Sequence, residues 1–243
     1  MLIAIIMPTY NEAANIGDMI RVLFDEIFPS IDADMHLVVV DDNSPDGTGK
    51  IVMKNMATND RLHLLQGEKK GLGYAYVRGF KFAIHKLCAD AVVEMDADFQ
   101  HDPSYLKDMT EAFKNGADYV IGSRFAGGGS IPREWSRHRK IISILGNRFA
   151  RWVLGLSSIH DMTTGFRLTR VKGVLDRIDL DGLMALDRFA YKVDLLYKTL
   201  QLTENVVEIP IHFAPRRMEK SKFNLMELLI TYMVVMRLRF FGK

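Results

Sequence analysis

Two aspartates separated by one residue, Asp96 and Asp98, directly follow an apolar run of strand length, and Gln100 comes two residues later. Carboxylates spaced in this way around a bend can both face one hard cation, and the amide oxygen of Gln100 can add a third ligand. Mg2+ and Mn2+ prefer oxygen ligands, and in phosphate-handling sites the cation commonly bridges to the substrate. The pattern therefore predicts a Mg2+ or Mn2+ site formed by Asp96, Asp98 and Gln100. Taken alone, two aspartates can also cap a helix, so the prediction depends on the elements around them.

Those elements are strands and helices that alternate at close spacing. Five apolar runs have strand length and helical patterns lie between them; the runs cover residues 2–7, 37–40, 62–65, 91–95 and 118–121. Because the runs are apolar throughout rather than alternating, they indicate an α/β fold, a mostly parallel Rossmann-like sheet with helices on both faces. We expect residues 1–215 to form this domain, including a basic helix at about 136–154. Residues 216–243 are expected to add a basic amphipathic C-terminal helix.

In parallel sheets, ligands bind at the carboxyl ends of the strands. Four loops that carry polar residues follow strands here and converge on that edge; they cover residues 8–12, 41–48, 96–102 and 122–130. Asp42 lies in the second of them, where a carboxylate can accept hydrogen bonds from a base or a ribose. Tyr10 and Glu12 add an aromatic face and a second carboxylate beside it. The edge therefore predicts a nucleotide next to the metal.

Gly71 and Gly73 do not complete a dinucleotide-binding fingerprint. A third glycine is missing, because position 76 is Tyr76, and the pair follows the third strand rather than the first. We expect these glycines to allow close helix packing near the nucleotide. The single cysteine, Cys88, excludes a disulfide framework and is expected in the core.

The net charge of +2 is unevenly distributed. Residues 133–151 carry six Lys or Arg against one Glu, and residues 215–243 carry seven against two, so each segment has a net charge of +5 and the rest of the chain −8. Both segments also contain many large apolar residues, which favours a membrane surface over nucleic acid as the anionic partner. The uncharged run 228–236 is far shorter than the roughly 20 residues that span a bilayer, so we expect no transmembrane segment.

An ordered set of motifs resembles the family 2 glycosyltransferases of the GT-A fold and, within them, the dolichyl-phosphate mannose synthases. The motifs lie at residues 8–12, 40–48, 71–75, 95–98, 122–124, 139–143, 165–167 and 221–222. The resemblance covers nearly the whole chain. It departs at Asn43, where many relatives have glycine, and around residues 216–220, which lack the usual Tyr-Gly.

The resemblance also implies roles for individual residues. Contacts to a nucleotide sugar are implied for Pro8, Tyr10, Glu12, Val40, Asp42, Asp96 and Ala97. Metal ligation is implied for Asp96, Asp98 and Gln100, and contacts to donor or acceptor phosphates for Arg124, Arg139, Ser143, Arg216 and Lys222. Among these, Asp98, Arg124 and Arg139 are expected to act in catalysis.

The reaction expected from the motifs and the resemblance is inverting transfer of mannose from GDP-mannose to dolichyl or polyprenyl phosphate. No His or Glu is an obvious general base, but a phosphate acceptor is already anionic and needs none. It needs positive charge instead, and the arginines within residues 124–151 and 216–217 fit that demand. We expect a peripheral protein on the cytoplasmic side of a membrane, with a membrane-anchor protein as a possible partner.

Alternative readings differ in the donor or in the class of protein. A UDP-glucose-dependent polyprenyl-phosphate glucosyltransferase would use the same chemistry with another sugar. A nucleotide-sugar pyrophosphorylase would need a Gly-rich signature with Arg after the first strand, where residues 8–12 stand instead. A non-catalytic membrane-docking subunit would have lost metal ligands that are intact here.

Overall fold

A seven-stranded mixed sheet forms the centre of the protein in the computed structural model, which describes residues 1–215 and 225–242. The strands are β1 (Leu2–Thr9), β2 (Asp34–Asp41), β3 (Leu62–Gln66), β4 (Ala91–Glu94), β5 (Tyr119–Ser123), β6 (Arg167–Arg170) and β7 (Val206–Pro210). Their order is β3-β2-β1-β4-β6-β5-β7, and only β6 runs antiparallel to its neighbours. The predicted, mostly parallel sheet and its five strands are confirmed.

Helices cover both faces of the sheet, and each face buries its own apolar cluster. They are α1 (Ala13–Arg21), α2 (Thr48–Met56), α3 (Leu72–His85), α4 (Tyr105–Lys114), α5 (Arg137–Leu154), α6 (Tyr191–Leu200) and α7 (Leu225–Phe241). A π-helical turn, Val22–Ile27, and a 3-10 turn, Phe28–Ser30, extend α1, and a second 3-10 turn covers Leu175–Arg177. The apolar runs on β1, β2 and β4 are buried because helices cover both sides.

The start of α1 is stabilised by the loop after β2. Asp46 accepts a hydrogen bond from the backbone N–H of Ala13 at 2.9 Å, and the Thr48 hydroxyl accepts one from Glu12 at 3.0 Å. Asn11 has a positive φ of 62° and does not cap the helix. Two of the loops predicted to converge are thus directly hydrogen-bonded to each other.

Cys88 differs from the expectation for it. Helix α3 ends at His85, and Cys88 follows in the loop with a φ of 51°, where its side chain is exposed rather than buried in the core.

The basic helix α5 begins where the sequence predicts it. The Ser136 hydroxyl accepts a hydrogen bond from the backbone N–H of Arg139, and Gly155, with a φ of 70°, ends the helix. Helices α5 and α7 pack against each other. Their outward sides expose large apolar residues: Ile141, Leu145 and Trp152 on α5, and Met226, Leu229, Tyr232, Met233, Phe240 and Phe241 on α7.

The side chains of α7 are not arranged as in the amphipathic helix expected at the C-terminus, because a charged residue is buried and apolar residues are exposed. Its acidic residue, Glu227, is buried against the body of the protein, while the apolar Leu229 and Met233 are exposed. The reason is that Glu227 accepts hydrogen bonds from residues between β6 and α6, which turns this carboxylate inward. Among the described residues, no helix combines the length and apolar character needed to cross a membrane.

Candidate active site

The loop after β4 holds Asp96 and Asp98 in a tight turn. The backbone N–H of Asp96 donates to Nδ1 of His101 at 3.1 Å, and the N–H of Gln100 donates to Oδ1 of Asp98 at 3.1 Å. The Tyr76 hydroxyl donates to Oδ1 of Asp96 at 3.1 Å. Because the Tyr76 side chain is fully buried, its pKa lies well above 10, so this hydroxyl remains a donor. The orientation of Asp96 is therefore set by α3 as well as by its own loop.

The predicted metal ligands fit a cation that arrives together with phosphate. Asp96 and Asp98 line one cavity, and Asp96 and Gln100 line its neighbour. Among the described residues, no group of three or more His, Cys, Asp or Glu side chains could hold a metal. Mg2+ is commonly held by one or two carboxylates plus waters and substrate phosphates, so the oxygen atoms present suit such an ion.

A cavity of about 310 Å³ lies at the carboxyl ends of β1, β2 and β4. Its lining includes the predicted donor residues Pro8, Tyr10, Glu12, Asp42, Asp96 and Ala97, together with Asp98. We call it the donor cavity. Val40, by contrast, is fully buried in the core beneath α3 and does not line this cavity, so its contact to a nucleotide sugar stays a prediction.

Two cationic side chains contact residues that line the donor cavity. Arg78 donates from Nη2 to Oδ1 of Asp42 at 2.8 Å, while burial raises the pKa of Asp42 against the pull of this guanidinium. The ammonium group of Lys69 lies 3.3 Å from the centre of the Tyr10 ring. Neither Arg78 nor Lys69 was predicted, because both residues lie outside the motifs of the sequence.

A second cavity, of about 230 Å³, lies beside the donor cavity and is called the acceptor cavity here. Arg124, Arg139 and Ser143, the described residues that were predicted to hold phosphate, all line it. The remaining two, Arg216 and Lys222, lie outside the described residues. Asp96, Phe189 and Glu227 line both cavities and mark the place where they meet.

Arg124 is fixed by a buried ion pair with Asp161. Its Nε and Nη2 donate to the two carboxylate oxygens at 2.7 and 2.8 Å, and its backbone N–H donates to Oδ2 at 3.0 Å. Burial by itself raises the pKa of Asp161, but Arg124 and the backbone N–H of Thr163 outweigh it and hold the pKa below its ordinary value. Arg124 thus contributes a rigid guanidinium whose charge is balanced from behind.

Arg139 is positioned differently. Its guanidinium lies 3.6 Å from the centre of the Trp135 ring, a cation–π contact, near the N-terminus of α5. Ser143 follows one turn later on the same helix, which places both residues at the acceptor cavity.

Two further residues of the acceptor cavity have no signal in the sequence. Lys192 lies at the start of α6 and is 4% exposed, and its ammonium group crowds the space beside Gly165. His101 is 1% exposed and stacks on Phe166 with ring centres 5.0 Å apart. Burial lowers the pKa of His101 to about 4, so the ring is neutral at pH 7, with Nδ1 as the acceptor from Asp96.

The sheet order and the two cavities, with an Asp-x-Asp loop between them, define the chain as a glycosyltransferase of the GT-A fold. It belongs to glycosyl transferase family 2, whose family model matches residues 4–177.

Similar proteins agree with this assignment. The chain is 37% identical over 222 residues to a polyprenol monophosphomannose synthase of Mycolicibacterium smegmatis, covering 90% of this chain and 80% of the relative. It is 38% identical over 225 residues to an undecaprenyl-phosphate mannosyltransferase of Micrococcus luteus, covering 92% and 88%. The crystal structure of glucosyl-3-phosphoglycerate synthase from Mycobacterium tuberculosis with Mn2+, UDP-glucose and glycerol 3-phosphate matches with a TM-score of 0.62 at 18% identity, covering 98% of this chain and 79% of that chain.

Proposed function

We propose that the protein transfers mannose from GDP-mannose to a polyprenyl or dolichyl phosphate with inversion at the anomeric carbon. The observation that carries the proposal is the meeting of the donor and acceptor cavities at Asp96, Phe189 and Glu227. A sugar attached to a nucleotide in the first cavity presents its anomeric carbon to a group in the second. Relatives named for mannosyl transfer to polyprenyl phosphates support the choice of sugar and acceptor.

A phosphate acceptor suits the groups that line the acceptor cavity. Three cationic side chains, Arg124, Arg139 and Lys192, lie around it. His101 is a poor general base, because its pKa is about 4 and its Nδ1 already accepts a hydrogen bond. The Glu227 carboxylate accepts hydrogen bonds from Nη1 of Arg188 and from the backbone N–H of Phe189, at 3.3 Å each. A phosphate oxygen attacks without losing a proton, so the cavity needs only to bind it and orient it in line.

Residues Asp96, Asp98 and Gln100 would hold Mg2+ or Mn2+. When bound, this cation stabilises the negative charge that develops on the diphosphate leaving group. The protein's own contribution is to orient Asp96 through Tyr76 and His101, and to place guanidinium groups beside the acceptor, where their fork geometry suits phosphate.

A lipid acceptor also accounts for the apolar surface beside the acceptor cavity. Helix α5 contributes Arg139 and Ser143 to the cavity and exposes Ile141, Leu145 and Trp152. Helix α7 contributes Glu227 and Thr231 to the cavity and exposes the apolar residues given above. We propose that this shared apolar surface contacts the cytoplasmic side of a membrane, directly or through a membrane-anchor protein, and that it admits the isoprenoid chain.

The test combines purified protein with Mn2+, a short polyprenyl phosphate, and either GDP-mannose or UDP-glucose, and identifies lipid-linked sugar by mass spectrometry. We expect a β-linked mannosyl phosphate with GDP-mannose, with the anomeric configuration read by NMR. Asp98→Asn should abolish turnover. The matched control is Asp102→Asn, because Asp102 is an exposed aspartate of the same loop whose Oδ1 accepts from the nearby Ser104 N–H.

Two outcomes would contradict the proposal. The first is formation of lipid-linked glucose from UDP-glucose with no lipid-linked mannose from GDP-mannose. This result would favour the alternative function, a UDP-glucose-dependent polyprenyl-phosphate glucosyltransferase, and a structure of similar fold does hold UDP-glucose. Absence of any lipid-linked sugar with either donor would exclude lipid phosphate as the acceptor.

A further inference from the structure

The segment between β6 and α6 contains a short stretch, residues 185–189, whose last three residues line the donor cavity and whose last residue also lines the acceptor cavity. We call it the junction segment. The backbone N–H groups of Gly73 and Tyr74 donate to the carbonyl of Leu186 at 2.8 and 3.3 Å. Gly71 has a φ of 130°, and a Cβ there would collide with the backbone of Asp187. The two glycines therefore bring the junction segment against the start of α3 and hold it there.

The junction segment lies beside the place where the donor cavity meets the acceptor cavity. The donor cavity is also lined by Pro8 on β1 and by Tyr10 and Asp42, which directly follow β1 and β2. Asp187 and Arg188 line only the donor cavity, whereas the next residue, Phe189, lines both cavities. Since transfer requires the anomeric carbon to lie where the cavities meet, the hexose must lie next to Asp187 and Arg188.

The polar groups of the junction segment form a chain that ends on α7. Nε of Arg188 donates to Oδ2 of Asp187 at 3.2 Å, and its Nη1 donates to Oε1 of Glu227 at 3.3 Å. Glu227 also accepts from the backbone N–H of Phe189 at 3.3 Å. The Arg188 guanidinium therefore lies between two carboxylates and orients that of Asp187. The Asp187 side chain is 58% exposed.

We propose that Asp187 is a residue that determines donor-sugar specificity by accepting hydrogen bonds from hydroxyl groups of the hexose. The inference rests on the proposed function. An ionised carboxylate only accepts hydrogen bonds, and its two oxygens can take two neighbouring hydroxyls at once. The exposed ring of Phe189, 40% exposed, offers an apolar surface to the C–H face of the sugar beside it. Arg188 is a positioning residue that acts through Asp187.

The experiment compares binding of GDP and GDP-mannose by calorimetry in the presence of Mn2+, with wild-type protein and the Asp187→Asn and Asp187→Ala variants. Hydrogen bonds to a charged group correspond to roughly a 10- to 100-fold change in affinity. We expect both variants to bind GDP as the wild type does and to lose this factor for GDP-mannose. The preference for GDP-mannose over GDP-glucose, its epimer at C2, should fall as well.

Two variants serve as controls. Asp181→Asn changes an exposed carboxylate that pairs with Lys81 outside both cavities, and it should leave both affinities unchanged. Arg188→Lys keeps the positive charge but cannot reach both carboxylates with one planar group, so it should weaken binding of GDP-mannose while sparing GDP.

The outcomes separate the two proposals. If wild-type protein binds GDP-mannose and transfers mannose, but Asp187→Asn keeps the affinity and epimer preference of the wild type, the specificity role of Asp187 is wrong. Equal loss of GDP and GDP-mannose binding would also overturn it, because the effect would then lie outside the sugar. Failure of the wild-type protein to bind any GDP-sugar would overturn both proposals.

Discussion

Replacing Asp161 by asparagine tests whether the buried ion pair with Arg124 organises the acceptor cavity. The side chains of Asp161 and Arg124 are 0% and 9% exposed, and the carboxylate accepts three hydrogen bonds from Arg124 and others from the backbone N–H groups of Thr163 and Thr164. Asparagine has nearly the same shape, but it turns one acceptor into a donor that faces these N–H groups. It also leaves the guanidinium charge without its partner.

The expected loss of stability follows from this burial. Breaking a buried ion pair by removing one partner costs about 3–5 kcal/mol, because a charge remains uncompensated. In a domain of this size, each kcal/mol lowers the melting temperature by about 2–4 °C, so Asp161→Asn should lower it by about 6–20 °C. Asp181→Asn, which removes an exposed partner of Lys81, should cost only about 0–1 kcal/mol.

The assay is urea unfolding followed by circular dichroism at several pH values. The pKa of Asp161 is lowered in the folded protein, so its contribution to stability is present above the unfolded pKa of about 3.9 and is lost as the pH falls through the lower folded value. The difference between wild type and Asp161→Asn should therefore be full at pH 7 and shrink at acidic pH. A variant that unfolds within about 1 kcal/mol of the wild type at pH 7 would refute the buried pair.

Three further predictions address the metal site, a pair of histidines on β2 and β3, and the surface proposed to contact a membrane. Tyr76→Phe should weaken Mn2+ binding in the presence of GDP about tenfold or more, because it removes the hydroxyl that orients Asp96 and keeps the packed ring. Calorimetry would measure the affinity, and an unchanged value would contradict the positioning role of Tyr76. Burial and the neighbouring His36, at 2.9 Å, lower the pKa of His63 and favour its neutral state, so the free energy of unfolding should fall as the pH drops below about 6.5. His36→Gln should make this pH dependence less steep in urea titrations, and an equally steep profile in the variant would argue against the pair. Trp152→Ala removes the most exposed aromatic side chain of α5, so it should reduce flotation with anionic lipid vesicles and leave turnover of a short-chain acceptor in detergent unchanged. Undiminished flotation would show that Trp152 does not contribute to the proposed membrane contact.

The fold was largely predictable because its signals are local. Continuous apolar runs for β1, β2 and β4 reflect burial on both faces of a sheet, and the Ser136 cap marks the start of α5 within one residue. Residue type alone does not predict the contacts that a distant segment makes. Asn11 has the residue type of a helix cap, yet the loop containing Asp46 supplies the hydrogen bonds to α1 instead.

The donor side of the site was more predictable than the acceptor side for a related reason. Donor residues directly follow strands, so the topology alone brings them to one edge of the sheet. Lys192 of the acceptor cavity instead lies at the start of α6, directly after the region between β6 and α6, where the pattern of strands and helices is irregular. Asp187 of the donor cavity belongs to the same irregular region. Only the close approach of Gly71 and Gly73 to residues 186–187 could have indicated this region, and a glycine pair does not reveal which segment will lie against it.

The ion pair with Asp161 lowers the net positive charge that Arg124 contributes to the acceptor cavity. The number of arginines in the sequence suggests an attractive field for an anionic acceptor, but a carboxylate 37 residues away balances the charge of Arg124. Arg124 then offers a guanidinium plane that cannot move, whereas Lys192 and Arg139 supply positive charge to the same cavity. Rigid orientation from one group and attraction from others is the arrangement that in-line attack by phosphate requires. Arg124→Lys should therefore reduce turnover more than it reduces acceptor affinity, since it keeps a charge and loses the fork.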